Sequence, residues 1–283
     1  MNALICRTPG LIATDYDGTL ADSGGQIPAP VTDAFARARD AGLALLIVTA
    51  RPPRWLTHLA PLVGEDAIIV AGNGAFEYAP ATGSVRVTGG FTPAETLAIV
   101  ERLREIPGIA LSAERASGPW RDAHYPVSEL PMASGWVRGP RVGADEVVAP
   151  LEELPDTAGK ILARSSTLSA DEFRARVRIL VGDRASLHIS TDDALAELSP
   201  PTLSKATALA RIAHARGIPR HSVWAVGDMP NDAPMLAWSA LGIAVRNAHP
   251  ILHAGAQAIA PTNDEAGVAH VIDAALRARR GIG

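Results

Sequence analysis

Short apolar runs divide the first part of the chain, and each of them stops at polar or glycine residues. They cover residues 11–13, 43–48 and 67–70. Unbroken runs of this length are typical of strands that are buried on both faces of a parallel sheet. We therefore predict three buried strands, each with polar residues at its carboxyl end.

Two helices are predicted between these strands. The first begins at Pro30 and ends at Gly42, because its apolar residues recur at helical spacing and a glycine commonly follows a helix. The second carries Trp55, Leu56 and Leu59. This alternation predicts an α/β fold with a Rossmann-like parallel sheet, in which sites form beyond the carboxyl ends of the strands.

The middle of the chain has a different pattern. Its predicted elements are a strand at 84–88, a helix at 93–106, a helix opened by the capping box of Ser169 and Glu172, and strands at 186–190 and 194–198. Residues 114–142 are rich in Pro, Gly, Trp and Arg and receive no assignment. We predict that residues 84–195 form an α+β domain inserted into a core made of residues 1–83 and 196–283.

The parallel pattern returns in the last third of the chain. A helix that holds Lys205 ends at Gly217, strands follow at 223–226 and 241–245, and a last helix contains Val268 and Ile272. These elements complete the predicted core.

Acids and hydroxyls follow three of the predicted core strands. Asp15 and Asp17 follow the first strand, Thr49 follows the second, and Asp228 and Asp232 follow the strand at 223–226. Because the carboxyl ends of parallel strands lie at one edge of a sheet, these groups can converge in space. Clustered carboxylates form an all-oxygen site that favours Mg²⁺, and a nearby lysine and hydroxyl suit a phosphoryl group.

Composition and charge narrow the function classes. The chain has 283 residues, of which 47% are hydrophobic and 20% charged, with a formal net charge of −4, so nothing favours a nucleic-acid partner. It contains one cysteine, Cys6, and no Cys/His cluster with zinc spacing. No apolar stretch is long enough for a membrane span, and the first residues lack a secretory signal. We expect a cytoplasmic enzyme or binding protein.

Lysine is rare in this chain. Of 26 basic residues, only Lys160 and Lys205 are lysines, so either one is a candidate for a role that arginine does not fill.

The motifs, taken in order, resemble those of the haloacid dehalogenase superfamily. The resemblance rests on residues 15–19 (Asp-Tyr-Asp-Gly-Thr), Thr49, Lys205 and residues 227–232 (Gly-Asp-Met-Pro-Asn-Asp). Residues 73–75, 247–250 and 263–269 are similar to accessory segments of its Cof-like branch, which carries a large inserted cap of the C2 type. The resemblance implies that residues 84–195 are this cap, which would cover the active site and contact the substrate.

The resemblance also implies roles for the acids. Asp15 would be the nucleophile that takes the phosphoryl group, and Asp17 would protonate the leaving alcohol and later deprotonate water. Mg²⁺ would be held by Asp15, the backbone carbonyl of Asp17, and Asp228. Asp232 would support the metal or orient Lys205.

The same resemblance implies a phosphate-binding group. Thr49 and Lys205 would hold the phosphoryl oxygens, and Thr19 adds a hydroxyl beside the acids. Asn73 would lie near the phosphate or the cap-facing side of the substrate, and Asn231 would share the surroundings of the metal.

The sequence departs from the family pattern at three positions. Ala50 and Ala206 stand where glycine is common after Thr49 and Lys205, and Arg246 stands where the Cof-like branch often has glycine. We expect Ala50 to be tolerated if its backbone angles are ordinary.

Several interpretations remain open at this stage. The function implied is a phosphatase acting on a small phosphomonoester, such as a sugar phosphate; a phosphomutase or a non-catalytic binding protein with the same fold are the alternatives. Oligomeric state and substrate are not predicted. Six residues of the inserted block can line a substrate pocket, although packing or surface roles are expected for each: Trp120, Arg121, His124, Tyr125, Trp136 and Arg138.

Overall fold

The computed structural model describes residues 8–125, 146–188 and 194–281. Cys6, Trp136 and Arg138 lie outside these ranges, as does the end of the strand predicted at 186–190. None of the helices in the described ranges is long and apolar enough to cross a membrane.

The described residues form fourteen strands and eight α-helices. The strands are β1 (Leu11–Thr14), β2 (Ala44–Ile47), β3 (Ile69–Ala71), β4 (Phe76–Ala79), β5 (Ser84–Val87), β6 (Ile109–Glu114), β7 (Pro119–Arg121), β8 (Val147–Val148), β9 (Lys160–Ser165), β10 (Ser186–His188), β11 (Leu195–Ser199), β12 (Val223–Gly227), β13 (Leu241–Val245) and β14 (Ala258–Ala260). The helices are α1 (Ala29–Asp40), α2 (Ala60–Val63), α3 (Pro93–Leu103), α4 (Ala170–Val181), α5 (Lys205–Ala215), α6 (Ala233–Trp238), α7 (Pro250–Gly255) and α8 (Gly267–Arg279).

The first sheet confirms the predicted parallel α/β fold. Its order is β14-β13-β12-β1-β2, and all of its pairs are parallel. In the register of β1 and β12, Leu11 lies opposite Val223 and Thr14 opposite Val226. Every residue of β1, β12 and β13 is buried, as expected for strands covered on both faces.

The strand predicted at 67–70 has a different arrangement from the one expected. β3 lies beside the end of β2 through one parallel bridge, Val48 to Val70. It then pairs antiparallel with β4, and β4 pairs antiparallel with β5. A small antiparallel sheet therefore extends from the point where the second core strand ends.

The prediction of a helix around Trp55 is wrong. Residues Pro53–Trp55 and Thr57–Leu59 form two single 3₁₀ turns, and only the short α2 follows. Pro52, Pro53 and Pro61 explain the difference, because proline has no N–H to donate and disfavours helical angles in the residue before it.

The second sheet has the order β10-β11-β9-β6-β7-β8. Alternate residues of its central strands, such as Leu111 and Ile161, pack with α3 and α4 in a hydrophobic cluster separate from that of the first sheet. The predicted capping box opens α4, where the Ser169 hydroxyl accepts from the Glu172 N–H and the Glu172 carboxylate accepts from the Ser169 N–H.

The boundaries of the inserted domain stay a prediction. Since β5 pairs with β4 beside the first sheet and all of β11 belongs to the second, we propose that the insertion begins after β5 and ends after β11. This shifts the predicted range of 84–195 by several residues at each end.

Candidate active site

The acids at the carboxyl end of the first sheet come together as expected from the topology. Asp15 directly follows β1, and its N–H donates to the Val226 carbonyl of β12 at 2.9 Å. Asp228 directly follows β12, and Asp232 lies in a 3₁₀ turn, Pro230–Asp232, that precedes α6. Asp15, Asp228 and Asp232 are buried, and each offers a carboxylate oxygen within 4.8 Å of the others.

Lys205 joins two of these acids. It is the first residue of α5, and its Nζ donates to Asp15 Oδ1 and to Asp232 Oδ1, each at 2.6 Å. Its side chain is only 2% exposed. Burial alone would lower the pKa of Lys205, but the two carboxylates raise it, so the ammonium stays charged.

Asp232 also fixes the turn that carries Asp228. Its Oδ2 accepts the N–H of Asp228 at 3.1 Å and that of Met229 at 3.0 Å. The turn cannot shift without losing these bonds, so Asp228 is held at one orientation beside Asp15.

The three carboxylates are not neutralised by the single ammonium. Burial and then the charge of Asp232 raise the pKa of Asp15 well above its usual value. Burial and Asp232 raise the pKa of Asp228 to about 6, although the Thr19 hydroxyl, which donates to Asp228 Oδ1 at 2.7 Å, opposes this shift. The excess of negative charge and the all-oxygen donor set suit a hard divalent cation.

Gly18 allows the close approach of the first acid motif to Asp228. Its φ is +71°, and an added Cβ would lie 2.4 Å from Asp228 Oδ2. A side chain at this position would therefore displace a carboxylate of the cluster.

The structure places the Asp17 side chain outside the carboxylate cluster. This side chain is 54% exposed and faces Arg51, whose Nε donates to Asp17 Oδ2 at 2.8 Å while a second guanidinium N–H binds Oδ1. The pair is bidentate, which fixes the orientation of the carboxylate. The expected contact of the Asp17 carbonyl with a metal stays a prediction.

Arg51 and its neighbours were missed by the sequence reasoning. The Arg51 guanidinium lies 4.7 Å from the centroid of the Tyr16 ring, and the Tyr16 hydroxyl lies 2.8 Å from His58 Nε2. Burial lowers the pKa of His58 and raises that of Tyr16, so burial favours the neutral form of both groups. The spacing of Arg51, two residues after Thr49, was the available signal.

Thr49 and Asn73 meet where β2 and β3 are bridged. Thr49 is fully buried, its N–H donates to the Val70 carbonyl, and its carbonyl accepts the Asn73 N–H at 3.0 Å. Asn73 has a left-handed φ of +57° and accepts from Asn231 Nδ2 at 3.3 Å. Asn73 Nδ2 and Asn231 Oδ1 are buried and have no hydrogen-bond partner among the described residues.

The departures from the family pattern are compatible with the backbone. Among the described non-glycine residues only Asn73 and Ala266 have positive φ, so Ala50, Ala206 and Arg246 occupy ordinary angles. Replacing glycine at these positions therefore introduces no backbone strain.

The described pocket candidates of the inserted block have structural partners. Trp120 Nε1 donates to the Pro150 carbonyl, Arg121 pairs with Glu146, and His124 Nε2 bonds the Ile109 carbonyl. The packing and surface roles expected for these three, and for Tyr125, the fourth described candidate, stay a prediction.

Comparisons with known proteins agree with the fold. Residues 12–272 match the family model of the haloacid dehalogenase-like hydrolases. The chain is 26% identical over 292 residues to the 5-amino-6-(5-phospho-D-ribitylamino)uracil phosphatase YwtE of Bacillus subtilis. The aligned region covers 94% of this chain and 97% of that protein. It is 23% identical over 244 residues to a phosphoglycolate phosphatase of Methanoculleus marisnigri, covering 84% of each.

A solved structure shows the same fold over nearly the whole chain. The sugar phosphatase BT4131, of HAD subclass IIB, superposes with a TM-score of 0.76 at 18% identity and covers 96% of this chain and 99% of its own.

Proposed function

Since this chain belongs to the haloacid dehalogenase-like hydrolases, we propose that it is a magnesium-dependent phosphatase that hydrolyses a small phosphomonoester through an aspartyl-phosphate intermediate. The observation that carries the proposal is the buried ion-pair network in which Lys205 holds Asp15 and Asp232 next to Asp228. This network joins a fixed carboxylate nucleophile, a phosphate-binding cation and a set of metal ligands within one site.

Asp15 is the proposed nucleophile. Lys205 fixes one oxygen of its carboxylate, and burial removes the water that would otherwise solvate it. A carboxylate oxygen attacks phosphorus, an acyl phosphate bond forms, and the bond from phosphorus to the ester oxygen breaks.

Asp17 is the proposed general acid and base. Its exposed carboxylic acid gives a proton to the departing alcohol, and the resulting carboxylate takes a proton from the water that hydrolyses the acyl phosphate. The bidentate contact with Arg51 orients the ionised carboxylate, which is the form that takes the proton from water. Hydrolysis releases inorganic phosphate and restores Asp15.

The proposed metal ligands are Asp15, the Asp17 carbonyl and Asp228, supported by Asp232. The raised pKa values of Asp15 and Asp228 fit this assignment, because burial and then the charge of Asp232 disfavour their ionised forms, which a bound cation would stabilise. A bound Mg²⁺ would neutralise charge on the phosphoryl oxygens.

The remaining polar groups suit phosphate binding. Thr49, Lys205 and Asn73 are buried at the same edge of the sheet, with Asn231 and Thr19 nearby, and Asn73 Nδ2 is a donor without a partner among the described residues. A small sugar phosphate or similar metabolite is the proposed substrate class, and the names of YwtE, the phosphoglycolate phosphatase and BT4131 support it.

Replacement of Asp15 by Asn tests the mechanism. We expect release of inorganic phosphate from p-nitrophenyl phosphate with Mg²⁺ to fall by at least about three orders of magnitude, because the amide is not a nucleophile. Asp33→Asn, on the exposed face of α1, is the matched control and should keep full activity. Activity that survives in folded Asp15→Asn contradicts the nucleophile assignment, and activity of the native chain that persists in EDTA contradicts the metal requirement.

A further inference from the structure

The second lysine of the chain lies where the second sheet meets the segment that follows β2. Lys160 is the first residue of β9, and its side chain is 7% exposed. Its Nζ donates to Glu197 Oε2 at 2.6 Å and to the Ala50 carbonyl at 3.0 Å. Ala50 stands between Thr49 and Arg51, so this lysine contacts the main chain of the proposed active site.

The core itself binds the two carbonyls on either side of Ala50. The Thr49 carbonyl accepts the Asn73 N–H at 3.0 Å, and the Arg51 carbonyl accepts the Gly72 N–H at 2.9 Å. The Ala50 carbonyl accepts from Lys160 instead. Lys160 thus completes the hydrogen bonding of a segment whose flanking residues are a proposed phosphate ligand and the partner of Asp17.

A second contact holds the other end of the same segment. Glu114 of β6 is the cross-strand partner of Lys160, and its buried carboxylate is bound by both terminal nitrogens of Arg54. The bond from Arg54 Nη2 to Glu114 Oε1 is 2.8 Å. Two neighbouring residues of the second sheet therefore hold residues 50–54, one by donating and one by accepting.

We propose that Lys160 is a positioning residue, which orients the Thr49 hydroxyl and the Arg51 guanidinium through the Ala50 carbonyl; the proposal rests on the phosphatase function. The compact ammonium has three donors and reaches a carboxylate and a carbonyl at once. Glu197 offsets the cost of burying that charge. This role accounts for the second lysine in a chain that otherwise uses arginine.

The test is a kinetic comparison of Lys160→Met with Arg104→Met. Arg104 also pairs with a buried carboxylate of the second-sheet region, Asp122, and its remaining ion pair is with Glu152 rather than with the segment that follows β2. In Lys160→Met we expect kcat to fall about tenfold to hundredfold, as for a small misplacement of catalytic groups, with KM changed less than about twofold. The loss should be the same for p-nitrophenyl phosphate and a sugar phosphate, and Arg104→Met should keep native kcat.

A double variant separates positioning from the loss of an ion pair. Lys160→Met/Glu197→Gln leaves no unpaired buried carboxylate and should still show the reduced kcat, because the Ala50 contact remains absent. Native kcat in Lys160→Met overturns the proposal, and so does a return of kcat to the native value in Lys160→Met/Glu197→Gln. A loss that lies in KM and differs between substrates also overturns it, since Lys160 would then contact the leaving group. An inactive native chain would instead refute the phosphatase function.

Discussion

Replacing Asp228 with Asn should stabilise the metal-free protein at neutral pH while it abolishes activity. Asp228 is 7% exposed, and burial with the charge of Asp232 raises its pKa from 3.8 to about 6. A raised carboxylate pKa means that the folded state binds the proton more tightly than the unfolded state. The stability contribution of Asp228 is therefore complete below pH 3.8 and is lost as the pH rises through about 6.

The size of the effect follows from the shift. About two pKa units correspond to about 3 kcal/mol, since one unit is about 1.4 kcal/mol. The asparagine amide of the variant has no titrating proton and still offers Thr19 an acceptor, so the variant should not show this loss. We expect the two proteins to have similar free energies of unfolding near pH 4 and the variant to be more stable by about 3 kcal/mol at pH 7.

The assay is urea unfolding in EDTA at a series of pH values from about 4 to about 7.5, which brackets the two pKa values. The difference between the two free energies of unfolding reports Asp228 together with its effect on Asp15, whose pKa the charge of Asp228 raises. Added Mg²⁺ should narrow the difference in free energy of unfolding at pH 7, because the ion stabilises the unsubstituted protein and not Asp228→Asn. A variant that is less stable than the native chain at pH 7 in EDTA, or a difference that does not vary with pH, would refute the electrostatic account of this site.

Two further substitutions test the geometry of the first motif. Gly18→Ala would place a side chain on a backbone with a φ of +71°, and its Cβ would lie 2.4 Å from Asp228 Oδ2. We expect the free energy of unfolding to fall by at least about 1 kcal/mol and Mg²⁺ binding to weaken, both measured by thermal unfolding with and without the ion. Unchanged Mg²⁺ binding would show that the contact does not constrain Asp228. Arg51→Met should reduce kcat about tenfold to hundredfold on both an alkyl phosphate and p-nitrophenyl phosphate, because Asp17 is the base that hydrolyses the acyl phosphate whichever substrate formed it. Arg86→Met is the control, and native kcat of Arg51→Met on both substrates would contradict the role of Arg51 in orienting Asp17.

The sequence predicts the first sheet well because its signals are local and strong. Buried parallel strands are unbroken apolar runs, and the acids follow directly at their ends, as at Asp15 and Asp228. The position of Lys205 at the start of a helix then brings its ammonium to the same edge. Topology alone therefore predicts that these groups converge.

The second sheet is harder to predict because its strands lack the usual composition. β6 and β9 were not predicted, although they lie at the centre of that sheet. Residues 109–114 and 160–165 each contain a single β-branched residue, an isoleucine, among leucine, alanine, serine and charged residues, and they pack on α3 and α4. Nothing local to the sequence records that packing.

The side-chain partners of Asp17 and Lys160 were also beyond sequence reasoning. Arg51 and Ala50 are adjacent in the chain, but their partners lie far apart in the sequence. The Arg51 guanidinium binds Asp17, whereas the Ala50 carbonyl accepts from Lys160, 110 positions away. Such pairings depend on which way each group points at the end of β2. The rarity of lysine identified Lys160 as unusual but not the group that it contacts.

The unequal exposure of Asp15 and Asp17 has a consequence for the order of events. Asp15 is 5% exposed, whereas the side chain of Asp17 is 54% exposed, so the nucleophile lies on the closed side of the site and the proton-transfer group on the open side. Under the proposed mechanism, the departing alcohol and the incoming water both use the position opposite Asp15, and they must share one route past Asp17. The alcohol then leaves before water can enter, and phosphate is the last product. Inorganic phosphate should therefore inhibit competitively with substrate. The product alcohol should inhibit in a different way, because it attacks the aspartyl phosphate of Asp15 and re-forms the substrate.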